Sequence, residues 1–202
     1  NNMASSCASI LDKSGKVSQE VEFYNLAKKN NVSGLSGELN QKHLATYFSI
    51  SKNVGKNIFN EVGLMSWPEI RPKGGRDKAY LVLKKENSPK HFSEIAKLIN
   101  AAGFQGKKAN VQTVHNELIK DSRFVLVGRG MYALSEWGYK SGTVKDVLVD
   151  LLKNSSKPML KNTLLAKVMD ARMVKENTVL LNLHDPKIFV KNKDGSYELR
   201  KV

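Results

Sequence analysis

The chain has 202 residues, of which 41% are hydrophobic and 26% charged, so it can bury cores and is not disordered by composition. Its 33 lysines and arginines against 19 acidic residues give a net charge of +14, which favours a polyanionic partner because phosphate-neutralising side chains release counterions. A single cysteine excludes an internal disulfide framework and cysteine-based zinc sites, and the apolar runs are too short to span a membrane. The alternative for the charge is a lysine-rich surface that only maintains solubility.

Residues 1–67 carry little of this excess, with 7 basic and 5 acidic side chains. The start of the chain lacks the basic and apolar regions of a signal peptide, and its Asn-Asn-Met beginning suggests a piece of a longer protein. Apolar spacing predicts helices over 17–29, 41–48 and 52–62, with Ser51 as the N-cap of the last. Two helices around a tight turn indicate a helix-turn-helix with Lys52 and Lys56 outward, or a helical hairpin that packs on the next domain.

Residues 68–138 begin at a Pro- and Gly-rich boundary and carry 13 basic and 7 acidic side chains. A first helix is expected from about Asp77 to Ser88-Pro89, and a second after its N-cap Ser93. A third helix follows Asn110. Its predicted buried stripe consists of Val111, Val114, Leu118 and Ile119. Strands at 124–127 and 131–134 then flank a glycine-rich turn that contains Arg129.

Residues 139–202 repeat these landmarks in the same order and also carry 13 basic and 7 acidic side chains. Helices are expected at 144–153, 162–172 and 176–183, and a hairpin at 188–199. A period of about 65 residues is too long for a solenoid, so duplicated small domains are expected. The predicted fold is mainly α with α+β character: a helical N-terminal segment followed by two tandem winged-helix domains.

The third helix of a winged helix can enter the major groove, where base edges are distinguishable. In the first copy Gln112 and Asn116 are suited to adenine, and Thr113 to a thymine methyl group. The basic residues expected to hold phosphates are Lys107, Lys108, Lys120 and the turn residue Arg129. The alternative is the solvated polar face that any surface helix has.

The second copy is predicted to be a poorer reader of bases. Leu180, Leu181 and Leu183 occupy much of its third helix, which favours packing against another domain or a protein partner. Lys191 and Lys193 on its hairpin are expected to touch the phosphate backbone.

Catalytic and metal-binding patterns are scarce. The four histidines, His43, His91, His115 and His184, have no metal-ligand spacing, and His115 is expected to be a partly buried packing residue. Nucleotide-binding loops, nucleophile motifs and paired carboxylates are missing from the sequence. No enzyme activity, cofactor or metal is therefore expected.

The segment AYLVLKKENSPKHFSEIAKLINAAGF with VQTVHNELIKDSRFVLVGRGMYALSEWG resembles the HARE-HTH domain family over residues 76–138. The matching features are His91-Phe92-x-x-Ile95-Ala96, Asn116-Glu117-Leu118 and the run from Phe124 to Leu134 with its turn Gly128-Arg129-Gly130. This winged-helix family occurs in the delta subunit of bacterial RNA polymerase, in restriction-modification proteins and in chromatin regulators. Residues 44–85 also resemble bacterial proteins in which a sigma-factor-like helix-turn-helix region precedes this domain.

The resemblance implies a transcription-associated protein of the bacterial cytoplasm and nucleoid. We expect double-stranded DNA as the partner of helix 3 and the wing of the first copy. One alternative is an adaptor that docks on RNA polymerase or another protein. The other is an accessory module of a restriction-modification or nuclease protein. The recognised DNA sequence and the oligomeric state are left open.

Overall fold

The computed structural model describes residues 2–30, 32, 46, 48, 51–155 and 157–200. Over those ranges the chain is mainly helical with small antiparallel sheets, so the expected class, mainly α with α+β character, is confirmed. None of the helices in these ranges has the length and hydropathy that a membrane crossing requires.

The described helices and strands follow one another in a recurring order along the chain. The helices are α1 (Asn2–Ser14), α2 (Glu20–Lys29), α3 (Gly75–Glu86), α4 (Phe92–Ala101), α5 (Val111–Lys120), α6 (Val144–Lys153), α7 (Lys161–Ala171) and α8 (Glu176–Leu183). The strands are β1 (Ser18–Gln19), β2 (Val54–Lys56), β3 (Glu61–Leu64), β4 (Lys90–His91), β5 (Phe124–Gly128), β6 (Met131–Leu134), β7 (Met159–Leu160), β8 (Phe189–Lys191) and β9 (Ser196–Leu199). A 3-10 helix (Ser135–Trp137) follows β6.

The described sheets share one topology. In each, a two-residue strand in front of a helix pairs with the last strand, which also pairs with the middle strand, giving the orders β1-β3-β2, β4-β6-β5 and β7-β9-β8. The registers coincide as well, since Val62, Tyr132 and Tyr197 hold the same place in the three last strands and are all buried. We name the copies the N-terminal repeat (residues 2–64), the middle repeat (75–134) and the C-terminal repeat (144–199). Sequence analysis found only the last two.

Each hairpin turns through one left-handed residue placed directly before its last strand. These residues are Asn60, Gly130 and Gly195, with φ of 60°, 70° and 81°. Glycine adopts this conformation without a steric penalty, and asparagine tolerates it better than most residues. The N- and C-terminal turns are alike in a further respect, because Asn57 N and Asn192 N donate to the carbonyls of Glu61 and Ser196.

The predicted helix over 52–62 is wrong, because this segment forms β2, a turn and β3. The Oγ atom of Ser51 does accept from the backbone N–H groups of Asn53 and Val54, as an N-cap would, but the chain then enters a strand. The side-chain oxygen of Asn57 accepts from the N–H groups of Phe59 and Glu61 and thereby closes the turn. The predicted helix-turn-helix is therefore not formed. The helix expected over 41–48 lies largely outside the described residues.

The other predicted elements agree with the structure to within a few residues, and the helices over 144–153 and 176–183 agree at both ends. A further correction concerns the middle repeat. Helix α4 begins at Phe92, so Ser93 lies inside its first turn, where its hydroxyl contacts Nδ1 of His91 at 2.7 Å. The short strands β1, β4 and β7 were not predicted.

The chain divides into two compact units, Asn1–Leu81 with Leu98–Ala109, and Val82–Lys97 with Asn110–Val202. One core of the first unit is formed by Cys7, Leu11, Phe23, Ala27, Val32, Phe48, Val54 and Val62. Burial raises the pKa of the Cys7 thiol to about 11, which keeps it protonated and unreactive at neutral pH. One core of the second unit is formed by Val144, Val147, Leu148, Leu152, Met159, Leu164, Leu165, Val168, Val179, Leu183, Phe189 and Tyr197.

Each unit contains a contact between successive repeats. In the first unit, the ring of Phe59 from the N-terminal hairpin turn meets the ring of Phe104 edge-on, with centroids 6.5 Å apart. In the second unit, the N–H of Met173 donates to the carbonyl of Val127 in β5 at 3.0 Å. Phe104 and Met173 both lie in the loop between the second and third helices of their repeats, so a hairpin contacts the following loop in both cases.

Candidate nucleic-acid interface

Helix α5 is fixed at its start by a side-chain cap. The Oδ1 atom of Asn110 accepts from the N–H groups of Gln112 at 2.9 Å and Thr113 at 3.2 Å, which satisfies two otherwise unpaired backbone donors. An asparagine cap of this kind contributes about 1 kcal/mol relative to alanine. The cap sets the rotational phase of the helix in its first turn.

The exposed face of α5 contains the three side chains predicted to read bases: Gln112, Thr113 and Asn116. The Nε2 group of Gln112 donates to Oδ1 of Asn116 at 3.2 Å, so the two amides lie side by side one turn apart. Each amide has both a donor and an acceptor, as the paired contact to adenine requires. The bond between them would be exchanged for contacts to a ligand.

The buried side of α5 is narrower than predicted. Val114 and Leu118 are buried, but Ile119 is 63% exposed and Val111 is 39% exposed. A helix advances 100° per residue, so the pair at positions i and i+4 faces inward and the next residue turns away. Ile119 therefore belongs to the outer surface, beside the predicted phosphate contact Lys120, which is exposed at the last position of the helix.

An aromatic stack supports α5 from within the second unit. The ring of His115 stacks on Phe92, with centroids 4.3 Å apart and planes 23° apart, and meets Tyr132 edge-on at 5.9 Å. His115 is half-buried, as the sequence predicted for a packing residue. The ring of His91, the residue before Phe92, also contacts the Phe92 ring, with centroids 4.3 Å apart.

The same stack positions the turn that contains Arg129. The N–H of Phe92 donates to the carbonyl of Gly130 at 3.0 Å. A Cβ atom at Gly130 would lie 2.5 Å from Nε2 of His91, so that ring would have to shift, and the positive φ of Gly130 also favours glycine. Arg129 is exposed at this turn and forms no ion pair with another described residue. Helix α5 and Arg129 therefore rest on one packed framework.

The side chain of Arg123, which follows α5, already pairs with the carboxylate of Asp121. Its Nη2 atom lies 2.7 Å from Oδ2 of Asp121, and its Nε atom donates to both carboxylate oxygens at 3.1 Å. Asp121 also accepts from the Arg123 backbone N–H at 3.0 Å. This arrangement fixes the turn from α5 into β5, and it makes Arg123 a structural residue of the site.

The predicted phosphate contacts Lys107 and Lys108 are exposed in the loop before α5 and belong to the first unit. That loop is tied down at both ends. Lys78 Nζ donates to the carbonyl of Gln105 at 2.9 Å. The side-chain amide of Asn100 accepts from the N–H of Ala109 at 2.7 Å and donates to the carbonyl of Ala109 at 3.1 Å. The two lysines therefore extend from a defined backbone.

The two N-terminal site predictions have different outcomes. Lys52 is exposed, but it lies in the turn before β2 and not on a helix. Lys56 was expected outward on that helix, and this is wrong: it ends β2, is half-buried, and its Nζ atom lies 2.7 Å from Oε2 of Glu20. An ammonium group held by a carboxylate is a poor phosphate ligand, because binding would first have to break the existing pair.

The C-terminal repeat exposes Lys191 and Lys193 on its hairpin, as predicted. On α8, Asn177 and Thr178 are exposed, Leu183 is buried in the core of its own repeat, and Leu181 is 74% exposed. Packing of this apolar helix against another domain or a protein partner stays a prediction, with Leu181 exposed in the structure. The loop residue Met173 makes the contact with the middle repeat instead.

Sequence reasoning missed that contact, although one signal for it was present. Gly128 ends β5, and a Cβ atom there would lie 2.7 Å from the carbonyl oxygen of Met173. A glycine inside a strand often marks the close approach of another backbone. Within the described residues, no group of three or more His, Cys, Asp or Glu side chains is placed to hold a metal ion.

No family model matches this chain, and no curated protein is significantly similar to it.

Proposed function

We propose that this chain is a DNA-binding, transcription-associated protein in which the middle repeat is a winged helix that contacts duplex DNA through α5 and the β5–β6 turn. The observation that carries the proposal is the outward face of α5, where two neighbouring amides and a threonine stand on a capped, packed helix. A helix with its side chains is about 10–12 Å across, which fits a major groove roughly 12 Å wide. Arg129 and Lys120 would contact the backbone on either side.

The shared topology extends the proposal to the whole chain. All three repeats place a two-residue strand, a helix and a hairpin in the same order and register, as winged helices do. We assign the middle and C-terminal repeats as the two tandem winged helices expected from the sequence, and the N-terminal repeat as a third. The net charge of +14 supports a polyanionic partner for this array.

A second function, docking on RNA polymerase or another protein, is favoured by exposed apolar side chains of the C-terminal repeat. These side chains include Leu160 (56%), Met169 (48%), Met173 (48%) and Leu181 (74%). Side chains of this kind are common at protein interfaces and are not needed for contact with phosphates. The two functions can therefore reside on different repeats of one chain.

The test adds two negative charges to α5 with little change in shape. Gln112→Glu with Asn116→Asp should weaken binding of a fluorescent random-sequence duplex by about 10-fold or more, because carboxylates facing phosphates repel them. Asn177→Asp with Thr178→Glu adds the same charge to exposed positions of α8 and serves as the matched control. Equal weakening by both variants would contradict the assignment to α5. Failure to bind duplex at low salt, together with capture of purified polymerase, would favour the adaptor.

A further inference from the structure

The second unit contains a cleft that the proposed duplex-binding face does not use. Its volume is about 400 Å³, within the range of roughly 300 to 1,000 Å³ typical of small-ligand pockets. One wall is the segment after β6, with Trp137, Tyr139 and Lys140, and the other is α7, with Lys167 and Asp170.

A buried arginine holds the two walls together. Arg172, the residue after α7, is only 6% exposed, and its Nη1 group donates to the carbonyl of Lys140 at 3.1 Å. Gly138, with φ of 83°, ends the 3-10 helix and directs the chain toward Tyr139. The neighbouring bond from Met173 to Val127 fixes the same loop to β5. The cleft is therefore formed by groups with defined backbone positions.

The side chains that line the cleft combine three kinds of chemistry. Trp137 and Tyr139 are half-buried, and both line the cleft. Lys140 and Lys167 are exposed on opposite walls, and neither ammonium group forms an ion pair with a described residue. Asp170 adds one carboxylate, which no described side chain neutralises through an ion pair.

We propose that this cleft binds an unpaired nucleotide whose base carries an exocyclic amino group, with guanine preferred. Aromatic rings stack on bases, and lysines bind phosphates as point charges. The Asp170 carboxylate can accept hydrogen bonds from the amino and ring N–H groups of guanine, but it would repel a simple anion. This combination favours a nucleotide over inorganic phosphate and over uracil, which has no amino group. The inference is independent of duplex binding by α5.

The chain contains two tryptophans, so Trp67→Phe leaves Trp137 as the single indole reporter. Titration of this variant with GMP should quench Trp137 fluorescence saturably, and UMP should bind several-fold more weakly. Adding Lys167→Ala should weaken GMP binding about 10-fold, the equivalent of one charge-assisted contact. Lys153→Ala, an exposed lysine of α6 outside the cleft, is the matched control and should change nothing. Asp170→Asn should reduce the preference for GMP over UMP.

Two further arms identify the source of the nucleotide and guard against misfolding. A short guanine-containing single strand that binds more tightly than GMP would identify the ligand as part of a strand, and equal affinities would identify a free nucleotide. Equilibrium dialysis of the unsubstituted chain with labelled GMP measures the same constant without any variant. The proposal is overturned if no saturable binding occurs up to about 10 mM nucleotide. It is also overturned if inorganic phosphate binds equally well, or if Lys167→Ala behaves like Lys153→Ala.

Discussion

The middle and C-terminal repeats share a backbone plan but differ at particular exposed positions. Val114 and Leu118 of α5 correspond to Val179 and Leu183 of α8, and all four are buried. In this alignment, offset by 65 residues, Asn116 of α5 corresponds to Leu181 of α8. One scaffold therefore carries an amide at a surface position where its copy carries an exposed leucine.

The strands show the opposite exchange. Leu126 in β5 and Lys191 in β8 pair with the equivalent tyrosines Tyr132 and Tyr197. Leu126 is 46% exposed, and Lys191 is also exposed. The core positions keep their apolar character because packing requires it, and the surface positions are free to diverge. This difference suggests that the middle repeat contacts DNA through its helix, while the C-terminal repeat offers lysines from its hairpin and apolar groups from its helices.

The largest expected effect tests the helical phase on which the comparison depends. Leu118→Ala should lower the free energy of unfolding by about 2–5 kcal/mol, whereas Ile119→Ala should change it by less than about 0.5 kcal/mol. Leu183→Ala and Leu181→Ala should behave as the corresponding pair in α8. Chemical denaturation measures all four variants. Similar losses for both members of a pair would mean that the helix faces are assigned incorrectly.

The contact between the two repeats should be sensitive to one added methyl group. Gly128→Ala brings a Cβ atom to 2.7 Å from the Met173 carbonyl oxygen, so the backbone must shift, at a cost of about 1–3 kcal/mol. Gly74→Ala is the matched control, because a Cβ atom there meets nothing within 4 Å. Thermal unfolding followed by circular dichroism would compare the variants. Equal melting temperatures for Gly128→Ala and the unsubstituted chain would refute the close approach.

Asn116 and Leu181 occupy corresponding surface positions, but only the substitution of Asn116 should affect DNA binding. Asn116→Leu should weaken duplex binding by about 10-fold on a preferred sequence, because it removes one amide contact. Leu181→Asn should leave duplex affinity unchanged. Fluorescence anisotropy on a duplex selected from a random pool measures both effects. If Leu181→Asn weakened binding as much as Asn116→Leu, the two repeats would have to share the DNA-binding role.

Acidification should weaken the N-terminal cap of α6 in the C-terminal repeat. The Thr143 backbone N–H donates to the Asp146 carboxylate at 2.7 Å and, with the Thr143 hydroxyl, holds the pKa of Asp146 below its ordinary value. The pKa of Asp146 is lower in the folded chain than in the unfolded chain. Its stabilising effect is therefore present above about pH 3.9 and is lost as the pH falls through the pKa of the folded state. Asp146→Asn should therefore lower the melting temperature at pH 7, and the difference should shrink below about pH 4.

A second carboxylate contributes to the same acid response. Lys145 Nζ lies 2.7 Å from Oδ2 of Asp185, and this hydrogen bond is the main reason that the pKa of Asp185 is lowered. For this reason the double variant Asp146→Asn with Asp185→Asn should show a flatter stability profile between pH 7 and 3 than either single variant. A difference between Asp146→Asn and the unsubstituted chain that stayed constant down to pH 3 would exclude the proposed titration.

The middle and C-terminal repeats were predictable because their sequences contain strong local signals. Gly130 and Gly195 mark the hairpin turns, and the apolar spacing of Val114 and Leu118 marks a helix. The outward placement of Gln112, Thr113 and Asn116 followed from that spacing. Ile119 was assigned wrongly because apolarity alone does not show how wide the buried stripe is.

The N-terminal repeat lacks these signals. Its left-handed turn residue is Asn60, its strands are only three and four residues long, and their apolar residues can equally be spaced on a helix. The two-residue strands, such as Lys90–His91, are too short to show any period. Contacts between repeats, such as Met173 with Val127, depend on residues far apart in sequence, so Gly128 could signal a close approach but not its partner.

The central claim is that the middle repeat contacts DNA phosphates with a defined set of basic residues. The most direct measurement is the dependence of duplex affinity on salt, for the unsubstituted chain and for the variant with Lys107, Lys108, Lys120 and Arg129 all changed to Ala. Each phosphate contact adds about 0.9 to the slope of log affinity against log salt. Lys153→Ala with Lys161→Ala, two exposed lysines of α6 and α7, is the control. We predict weaker binding and a slope smaller by up to about 3.6 for the quadruple variant only. An affinity and slope identical to those of the unsubstituted chain would contradict the claim.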